Sequence, residues 1–474
     1  MLFNSRAFLF VFLPVAYFVF WKLPSKQQRY VWLTITGYIF YSFWNYKFCA
    51  IMAFSTLVSY LAGLGFLRFE DLRNRKLCLI VPVVVDLSLL AFFKYFALVM
   101  NSTQSLASYA GLNGVAATLW KIQFHALLRN RDLFGGVLPI GISFYTFHTI
   151  SYIVDSYRRT IKPTTNFFEF ACYVALFPQL VAGPIVRFRQ IENDLDNLDS
   201  ANRRSGLDIG WSYFIIGLIK KVLIADTIAA VINPALGALS SLSTAGAWLC
   251  ALGYTYQIYF DFSGYSDMAV GLGHLFGIRI PQNFNSPYKA TDPSDFWRRW
   301  HISLSTCLRD YLYIPLGGNR KRIYRNLMIT MMLGGLWHGA SWTFVLWGGY
   351  HGALLVFYKL FREQWDAMAL SLRQSLMFLL TVFGWILFRS DSFTMAELWI
   401  AKMLYPTGGA LFVGATVLIA CVAIAAVIAH AAPNTFEISH HWNAQTACAF
   451  AIAFVCCLVL ITGWIRSPFL YFQF

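Results

Sequence analysis

Long apolar runs alternate with short polar or basic segments along the whole chain of 474 residues. A helix needs about 20 apolar residues to cross the hydrocarbon core of a bilayer. Two runs, at 245–276 and 327–358, are long enough for a crossing plus a bent or re-entrant piece. The pattern therefore predicts an all-α polytopic membrane protein with roughly ten to twelve crossings. The other runs lie at 7–21, 30–46, 48–67, 77–100, 134–157, 167–186, 208–232, 374–390, 409–432 and 446–465.

Helix-breaking residues interrupt two of these runs. Pro139 and Gly141 interrupt one run, and Pro178 and Pro184 interrupt another. Unpaired backbone at membrane depth is tolerated only where it lines a cavity or is buried in protein. The breaks therefore indicate an internal chamber.

The segment 281–326 departs from the pattern of membrane crossings. Asp292 suits the N-cap of a helix, and Pro293 suits its first position. Apolar side chains recur every three or four residues, which predicts one amphipathic helix, lying at the membrane surface or dipping into it, that ends at Pro315. Its apolar stripe comprises Trp297, Trp300, Leu304, Leu308 and Tyr311. A basic cluster, which indicates a cytoplasmic face, follows at Arg320, Lys321, Arg322 and Arg325.

Composition supports the membrane assignment. Hydrophobic residues make up 58% of the chain and charged residues 12%, whereas a soluble domain carries about 25% charged residues. A soluble enzyme and a nucleic-acid-binding domain are thereby excluded. The net charge of +15 lies in short clusters between apolar runs, so anionic membrane lipids and a phosphate-bearing ligand are the expected partners, with no nucleic acid.

Two histidines are candidates for chemistry. His338 is surrounded by apolar sequence, where ionisable side chains are costly and commonly functional. His301 lies within the amphipathic helix, and an interfacial structural role fits it equally well. No third ligand stands at metal spacing near His440 and His441, so no metal site is predicted.

A buried neutral imidazole can take a proton from a hydroxyl as that hydroxyl attacks an acyl carbonyl. The basic residues near His301 could hold the phosphates of coenzyme A. They are Arg298, Arg299, Arg320, Lys321 and Arg322, with Lys289. The residue chemistry therefore indicates acyl transfer from a cytoplasmic thioester to a hydroxyl, although the cluster at 320–325 is equally typical of positive-inside topology.

A transporter or flippase without covalent chemistry is the alternative, since interrupted helices and intramembrane acids also fit transport. The acids that could couple an ion are Asp86, Asp155, Asp226, Asp261 and Asp267. A polysaccharide synthase would need a large soluble nucleotide-sugar domain, and the chain has no room for one between its apolar runs.

Ordered sequence blocks identify a family resemblance. The chain resembles the membrane-bound O-acyltransferases, in the bacterial branch that acetylates exported polysaccharides. The blocks that carry the resemblance include LPIGISFYTFHTISYIVD, LFPQLVAGPIVR, DFWRRWHISLSTCLRDYLYIPLGGNR, LGGLWHGASWTFVLWGGYHG and the closing SPFLYFQF.

The resemblance implies a ring of helices around a central funnel. It makes His338 the catalytic histidine and His301 the second histidine of the family, which we expect to assist catalysis by positioning the acyl group or relaying the proton. It further implies cytoplasmic acetyl-CoA as donor, an exported polysaccharide as acceptor, a separate periplasmic acetyltransferase partner and the bacterial inner membrane as location. We expect a single domain over 1–474, with a catalytic core at about 130–360 and C-terminal helices and aromatic tail at 374–474.

The aromatic tail suggests a role for Tyr471. A phenol has a pKa of about 10, so an acyl-tyrosine would keep more transfer potential than a sugar ester. The tail also resembles the tyrosine motif of a small peptide in the related D-alanyl teichoic acid system. The alternative is an interfacial aromatic belt.

Overall fold

The computed structural model describes residues 1–134, 139–181, 183–198, 206–409, 411–463 and 469–470. Within these ranges, all regular secondary structure is helical, which confirms the predicted fold class. The chain folds into two compact units. The first comprises Met1, Pro14–Ala201 and Gly339–Ser341, and the second comprises Leu2–Leu13, Asn202–His338 and Trp342–Phe474.

The first unit is built from helices α1 to α9. They span Leu13–Lys22, Lys26–Asn45, Phe48–Arg68, Leu72–Leu90, Phe96–Tyr109, Asn113–Phe134, Ile142–Tyr157, Phe167–Ala175 and Phe188–Asp196. A π-helical turn at Ala91–Tyr95 joins α4 to α5. The carboxylate of Asp86 on α4 accepts hydrogen bonds of 2.6 Å from the hydroxyls of Ser55 and Thr149, and so links α4 to α3 and α7.

Two features of the first unit differ from the sequence-based expectation. The run 167–186 does not form one crossing, because α8 ends at Ala175 after nine residues. Pro178 disfavours helical backbone at the residue before it, so the chain continues there as a loop. Conversely, α6 forms a helix of 22 residues where no long apolar run was recognised.

The second unit is built from helices α10 to α21. They span Leu207–Leu218, Thr227–Gly237, Thr244–Leu275, Pro293–Arg299, Ile302–Leu308, Ile323–His338, Trp342–Leu360, Arg362–Asp366, Leu370–Arg389, Phe393–Leu404, Ala415–His430 and Ala444–Thr462. The run 245–276 forms one helix of 32 residues, α12. The run 327–358 forms two, since α15 ends at His338 and α16 begins at Trp342.

Among the described residues, four helical stretches are long and apolar enough to cross a membrane by length and composition. They are Phe48–Arg68, Leu72–Tyr109, Leu370–Arg389 and Ala444–Thr462. Shorter apolar helices lie at Phe8–Lys22 and Ala415–His430. The stretch Leu72–Tyr109 has 38 residues, about 57 Å at 1.5 Å per residue, well beyond a hydrocarbon core of about 30 Å.

Buried ion pairs fasten adjacent lysines to α12. Lys220 and Lys221 lie on a π-helical segment, Ile219–Asp226, between α10 and α11. Nζ of Lys220 lies 2.5 Å from Oδ2 of Asp267, and both atoms are hydrogen-bonded to the hydroxyl of Thr435. Nζ of Lys221 lies 2.5 Å from Asp261 and 2.8 Å from Asp226. Three of the acids considered for ion coupling are therefore paired with lysines of the same unit, namely Asp226, Asp261 and Asp267.

Helices α15 and α16 approach each other closely through glycines. A Cβ atom at Gly335 would lie 2.1 Å from the carbonyl oxygen of Phe344, and one at Gly348 would lie 2.3 Å from that of Met331. Small residues are what allow such backbone approach between membrane helices. The contact fixes the end of α15, where His338 lies.

We expect Gly335→Ala to destabilise the protein by about 1–3 kcal/mol or more, because the added methyl group would overlap backbone that has no freedom to move away. Gly349→Ala on α16 is the matched control, since no atom lies within 4 Å of the Cβ it would add. Thermal unfolding of the detergent-solubilised protein measures the melting temperature of each variant. Equal melting temperatures for the two variants would contradict the proposed close approach.

Candidate active site

The amphipathic segment 281–326 contains the first element of the site, and its structure corrects the predicted single helix. Asp292 caps α13 by accepting from the backbone N–H of Asp295 at 2.8 Å, and Pro293 is the first helical residue, as predicted. However, α13 ends at Arg299, and Trp300 is extended. A second helix, α14, begins only at Ile302.

His301 occupies the break between α13 and α14. Its backbone is left-handed, with φ 43° and ψ 55°. A left-handed backbone at a residue other than glycine costs about 1–3 kcal/mol and is commonly retained at functional sites. The side chain is fully buried, and this burial lowers the pKa of His301 to about 3. The imidazole is therefore neutral near pH 7.

Asn283 holds the break in place. Its backbone carbonyl accepts from the N–H of Ile302 at 2.9 Å. Its side-chain Oδ1 accepts from the backbone N–H of Ser303 at 3.1 Å and from the Ser303 hydroxyl at 2.8 Å. Three hydrogen bonds to one residue therefore offset the strain of the left-handed turn.

The same amide determines the tautomer of His301. Nδ1 of His301 lies 3.3 Å from Oδ1 of Asn283. Since the backbone N–H of Ser303 can only donate, the amide atom that it meets is the oxygen, and that oxygen can only accept. Nδ1 must therefore donate in its contact with Asn283. The lone pair of the neutral imidazole then resides on Nε2.

His338, the last residue of α15, lies next to His301, with 6.4 Å between the two ring centroids. Aromatic rings enclose it: the ring centroids of Trp337, Trp347 and Phe388 lie 5.0, 5.1 and 5.3 Å away. The side chain is 4% exposed. The two histidines singled out from the sequence are thus brought together in a buried, aromatic setting.

A cavity of about 480 Å³ opens beside His338. Its volume is in the range of sites for drug-sized ligands, about 300–1,000 Å³. Apolar side chains, mainly from α14, α15 and α16, form most of its wall. The polar and charged lining residues are Ser294, Arg298, Ser305, Thr306, Arg309, Thr330 and His338. His301 is not among the lining residues.

The predicted phosphate-binding residues are distributed unevenly. Arg298 lines the cavity, with its guanidinium 3.7 Å from the carboxylate of Asp295 and its side chain 68% exposed. Arg299 instead pairs with Asp295 at 2.9 Å. The three further candidates are exposed in the turn before α15 and do not line the cavity; they are Arg320, Lys321 and Arg322.

The C-terminal residues are fastened near the histidines. The backbone N–H of Leu470 donates to Oδ2 of Asp261 at 2.8 Å. The Phe469 ring lies 5.8 Å from the ring of Phe262, which in turn lies 4.7 Å from the imidazole of His301. Tyr471, the next residue along the chain, lies outside the described residues.

Sequence reasoning missed three residues of this arrangement. Asn283 stands in a loop after α12, and nothing in its sequence neighbourhood indicates a contact with His301. Thr330 lies in an apolar run and Arg309 in an amphipathic one, so neither departs from its surroundings. Within the described residues, no group of three His, Cys, Asp or Glu side chains is placed to hold a metal ion.

Comparison with known proteins decides the family. Residues 86–390, more than half of the chain, match the model of the membrane-bound O-acyltransferase family. The chain belongs to this family. It is therefore an O-acyltransferase of the membrane, which confirms the resemblance and favours acyl transfer over the transport alternative.

Two similar proteins match most of the chain, and a third matches about half of it. A probable alginate O-acetylase of Azotobacter vinelandii is 43% identical over 406 residues, which cover 84% of this chain and 76% of that protein. A peptidoglycan O-acetyltransferase of Helicobacter pylori is 35% identical over 433 residues, covering 84% of this chain and 78% of that protein. A teichoic acid D-alanyltransferase of Bacillus subtilis is 30% identical over 238 residues, covering 48% of this chain and 60% of that protein.

We expect Asn283→Leu to reduce acyl transfer more strongly than it reduces the amount of folded protein. Leucine is close in size to asparagine but leaves the donors of Ser303 and His301 without their acceptor, at about 1–3 kcal/mol for each buried donor. The measurement is acyl transfer per folded molecule in purified membranes. Gln282→Leu is the control, since that amide donates to the carbonyl of Phe284. Equal activity of the two variants would argue against the role of Asn283.

Proposed function

We propose that this O-acyltransferase moves acetyl groups from cytoplasmic acetyl-CoA to hydroxyls of an exported cell-surface polysaccharide. The enzyme acts in the bacterial inner membrane, and a separate periplasmic acetyltransferase completes the transfer. The observation that carries the proposal is the position of His338, which lines an apolar cavity and lies beside a second buried histidine. The names of two relatives, an alginate O-acetylase and a peptidoglycan O-acetyltransferase, support acetyl as the transferred group and a cell-surface polysaccharide as the acceptor.

His338 is the general base in this proposal. It takes the proton of the attacking hydroxyl as the hydroxyl oxygen bonds to the thioester carbonyl carbon. The carbon–sulfur bond then breaks, and the thiolate leaves with the proton returned by the imidazole. The apolar wall excludes water, which would otherwise hydrolyse the thioester.

His301 assists His338 without lining the cavity itself. Its Nδ1 donates to Asn283, which places the lone pair on Nε2, and we assign the ring to positioning the acyl group at His338 or relaying the proton. Burial keeps the ring neutral, and a neutral ring does not repel the proton that His338 accepts. His301 is accordingly a positioning residue, and its loss is expected to impair transfer less than the loss of His338.

The cavity suits the arm of an acyl thioester better than an acetyl group alone, because 480 Å³ greatly exceeds the space that two carbon atoms need. Arg298 and Arg309 lie on the cavity wall, where guanidinium groups could pair with phosphates of the donor. Arg299, Arg320, Lys321 and Arg322 remain further candidates for this electrostatic attraction.

Tyr471 would take the acetyl group as a covalent relay between thioester and polysaccharide. Support comes from the residues that precede it, since Leu470 is hydrogen-bonded to Asp261 and Phe469 packs on Phe262 beside His301. In this step, the phenol oxygen bonds to the acyl carbon and the thiol leaves. A second hydroxyl then attacks the acyl-tyrosine and restores the phenol.

His338→Ala should lower acetyl transfer by about 10²–10⁴-fold, the usual contribution of a general base. The assay follows acetyl groups from labelled acetyl-CoA to the polymer, with the periplasmic partner present. Membrane insertion and expression should stay normal. His441→Ala, in an exposed loop, is the control for replacing a histidine. Near-normal activity of the His338→Ala protein would refute the catalytic assignment.

Tyr471→Phe should abolish polymer acetylation, because it removes the hydroxyl and keeps the aromatic ring. Mass spectrometry of the wild-type protein should detect an acetyl adduct on Tyr471 when the acceptor is withheld. Tyr405→Phe, at an exposed tyrosine, is the matched control. Full acetylation by the Tyr471→Phe protein would leave an aromatic belt as the explanation of the tail.

A further inference from the structure

Thr330 lines the cavity and carries a buried hydroxyl. The residue is 7% exposed, lines the cavity, and its Oγ1 atom has no hydrogen-bond partner among the described residues. A buried hydroxyl without a partner is costly and calls for an explanation. A hydrogen-bond acceptor on a ligand in the cavity would explain it.

Several other threonines in helices of this protein behave differently, although the buried hydroxyl of Thr146 on α7 also has no hydrogen-bond partner among the described residues. The hydroxyls of Thr56, Thr255 and Thr381 each donate to the carbonyl four residues earlier, at 2.7, 2.8 and 2.8 Å. This is the usual way for a helical threonine to satisfy its hydroxyl. Thr330 does not make that bond, so its hydroxyl has no partner among the described residues although the residue lines the cavity.

Thr330, Gly334 and His338 share one face of α15. They are four residues apart, and all three line the cavity. Eight residues separate Thr330 from His338, about 12 Å along the axis at 1.5 Å per residue. A ligand whose reacting carbon meets His338 must therefore be long to reach Thr330 as well.

Gly334 keeps the passage between these two side chains open. A Cβ atom at Gly334 would meet Cδ1 of Leu308 at 3.0 Å and no other atom within 4 Å. The residue is therefore not required for backbone packing, in contrast to Gly335, where a Cβ would lie 2.1 Å from a backbone oxygen. The missing side chain widens the cavity instead.

We propose that Thr330 and Gly334 determine which acyl donors this site accepts. The hydroxyl of Thr330 donates to an amide carbonyl in the extended arm of a thioester donor, and Gly334 gives that arm room to pass along α15 to His338. A plain hydrocarbon chain would leave the hydroxyl unpaired, so the arm must carry a hydrogen-bond acceptor. The inference rests on the proposed function and adds the residues that select the donor.

The first test is Thr330→Val, which keeps the shape of the side chain and removes the hydroxyl. Loss of one neutral hydrogen bond should raise the KM for acetyl-CoA by about two- to tenfold, with kcat nearly unchanged. Thr330→Ser keeps the hydroxyl and should therefore retain the wild-type KM for acetyl-CoA. S-Ethyl thioacetate, too short to reach Thr330, should compete with acetyl-CoA equally well in the wild-type and Thr330→Val proteins.

The second test is Gly334→Ala, which narrows the passage. It should lower kcat/KM for acetyl-CoA, whereas Gly349→Ala on α16 should leave it unchanged. An unaltered KM in the Thr330→Val protein, or an equal loss of affinity for S-ethyl thioacetate, would overturn the inference while the proposed function stands. If the wild-type protein transfers no acetyl group from acetyl-CoA, the proposed function fails, and this inference fails with it.

Discussion

The Oδ1 atom of Asn283 accepts from the backbone N–H and the hydroxyl of Ser303 and lies 3.3 Å from Nδ1 of His301. Without this acceptor, a left-handed histidine between two short helices would be a strained turn with buried, unsatisfied donors. With it, the turn is fixed, the imidazole is fixed, and α14 begins at a defined residue. The wall of the cavity that α14 contributes depends on that start.

Helix α15 supplies the other half of the arrangement. Its close approach to α16 at Gly335 and Gly348 sets where the helix lies, and its end at His338 presents the imidazole to the cavity. One face of α15 packs against backbone, and the face with Thr330 and Gly334 lines the cavity. A single helix thus combines a tight contact that fixes position with an open face that accommodates a ligand.

The sequence was sufficient for the helical membrane fold and for singling out the two histidines that lie together in the structure, because periodic apolar runs and ionisable residues within them are local signals. The sequence did not predict that the helix is interrupted at Trp300 and His301, between α13 and α14. Those residues are compatible with a helix, and the break is held by Asn283, 18 positions away. The contributions of Thr330 and Arg309 were equally hidden, since lining a cavity is a property of the folded chain. Tertiary hydrogen bonds and the shape of a cavity produce no periodic pattern in the amino-acid sequence.

The ion pairs of Lys220 and Lys221 with α12 have a consequence for how this protein evolves. Removing one partner of a buried pair leaves an uncompensated charge, which costs about 3–5 kcal/mol, whereas replacing both partners by apolar residues is often neutral. A substitution of Lys221 alone or of Asp261 alone is therefore expected to be destabilising. Asp261 also accepts a hydrogen bond from the backbone N–H of Leu470. Substitutions here are expected to be epistatic, with homologous proteins exchanging the lysine and its carboxylates together or retaining them all.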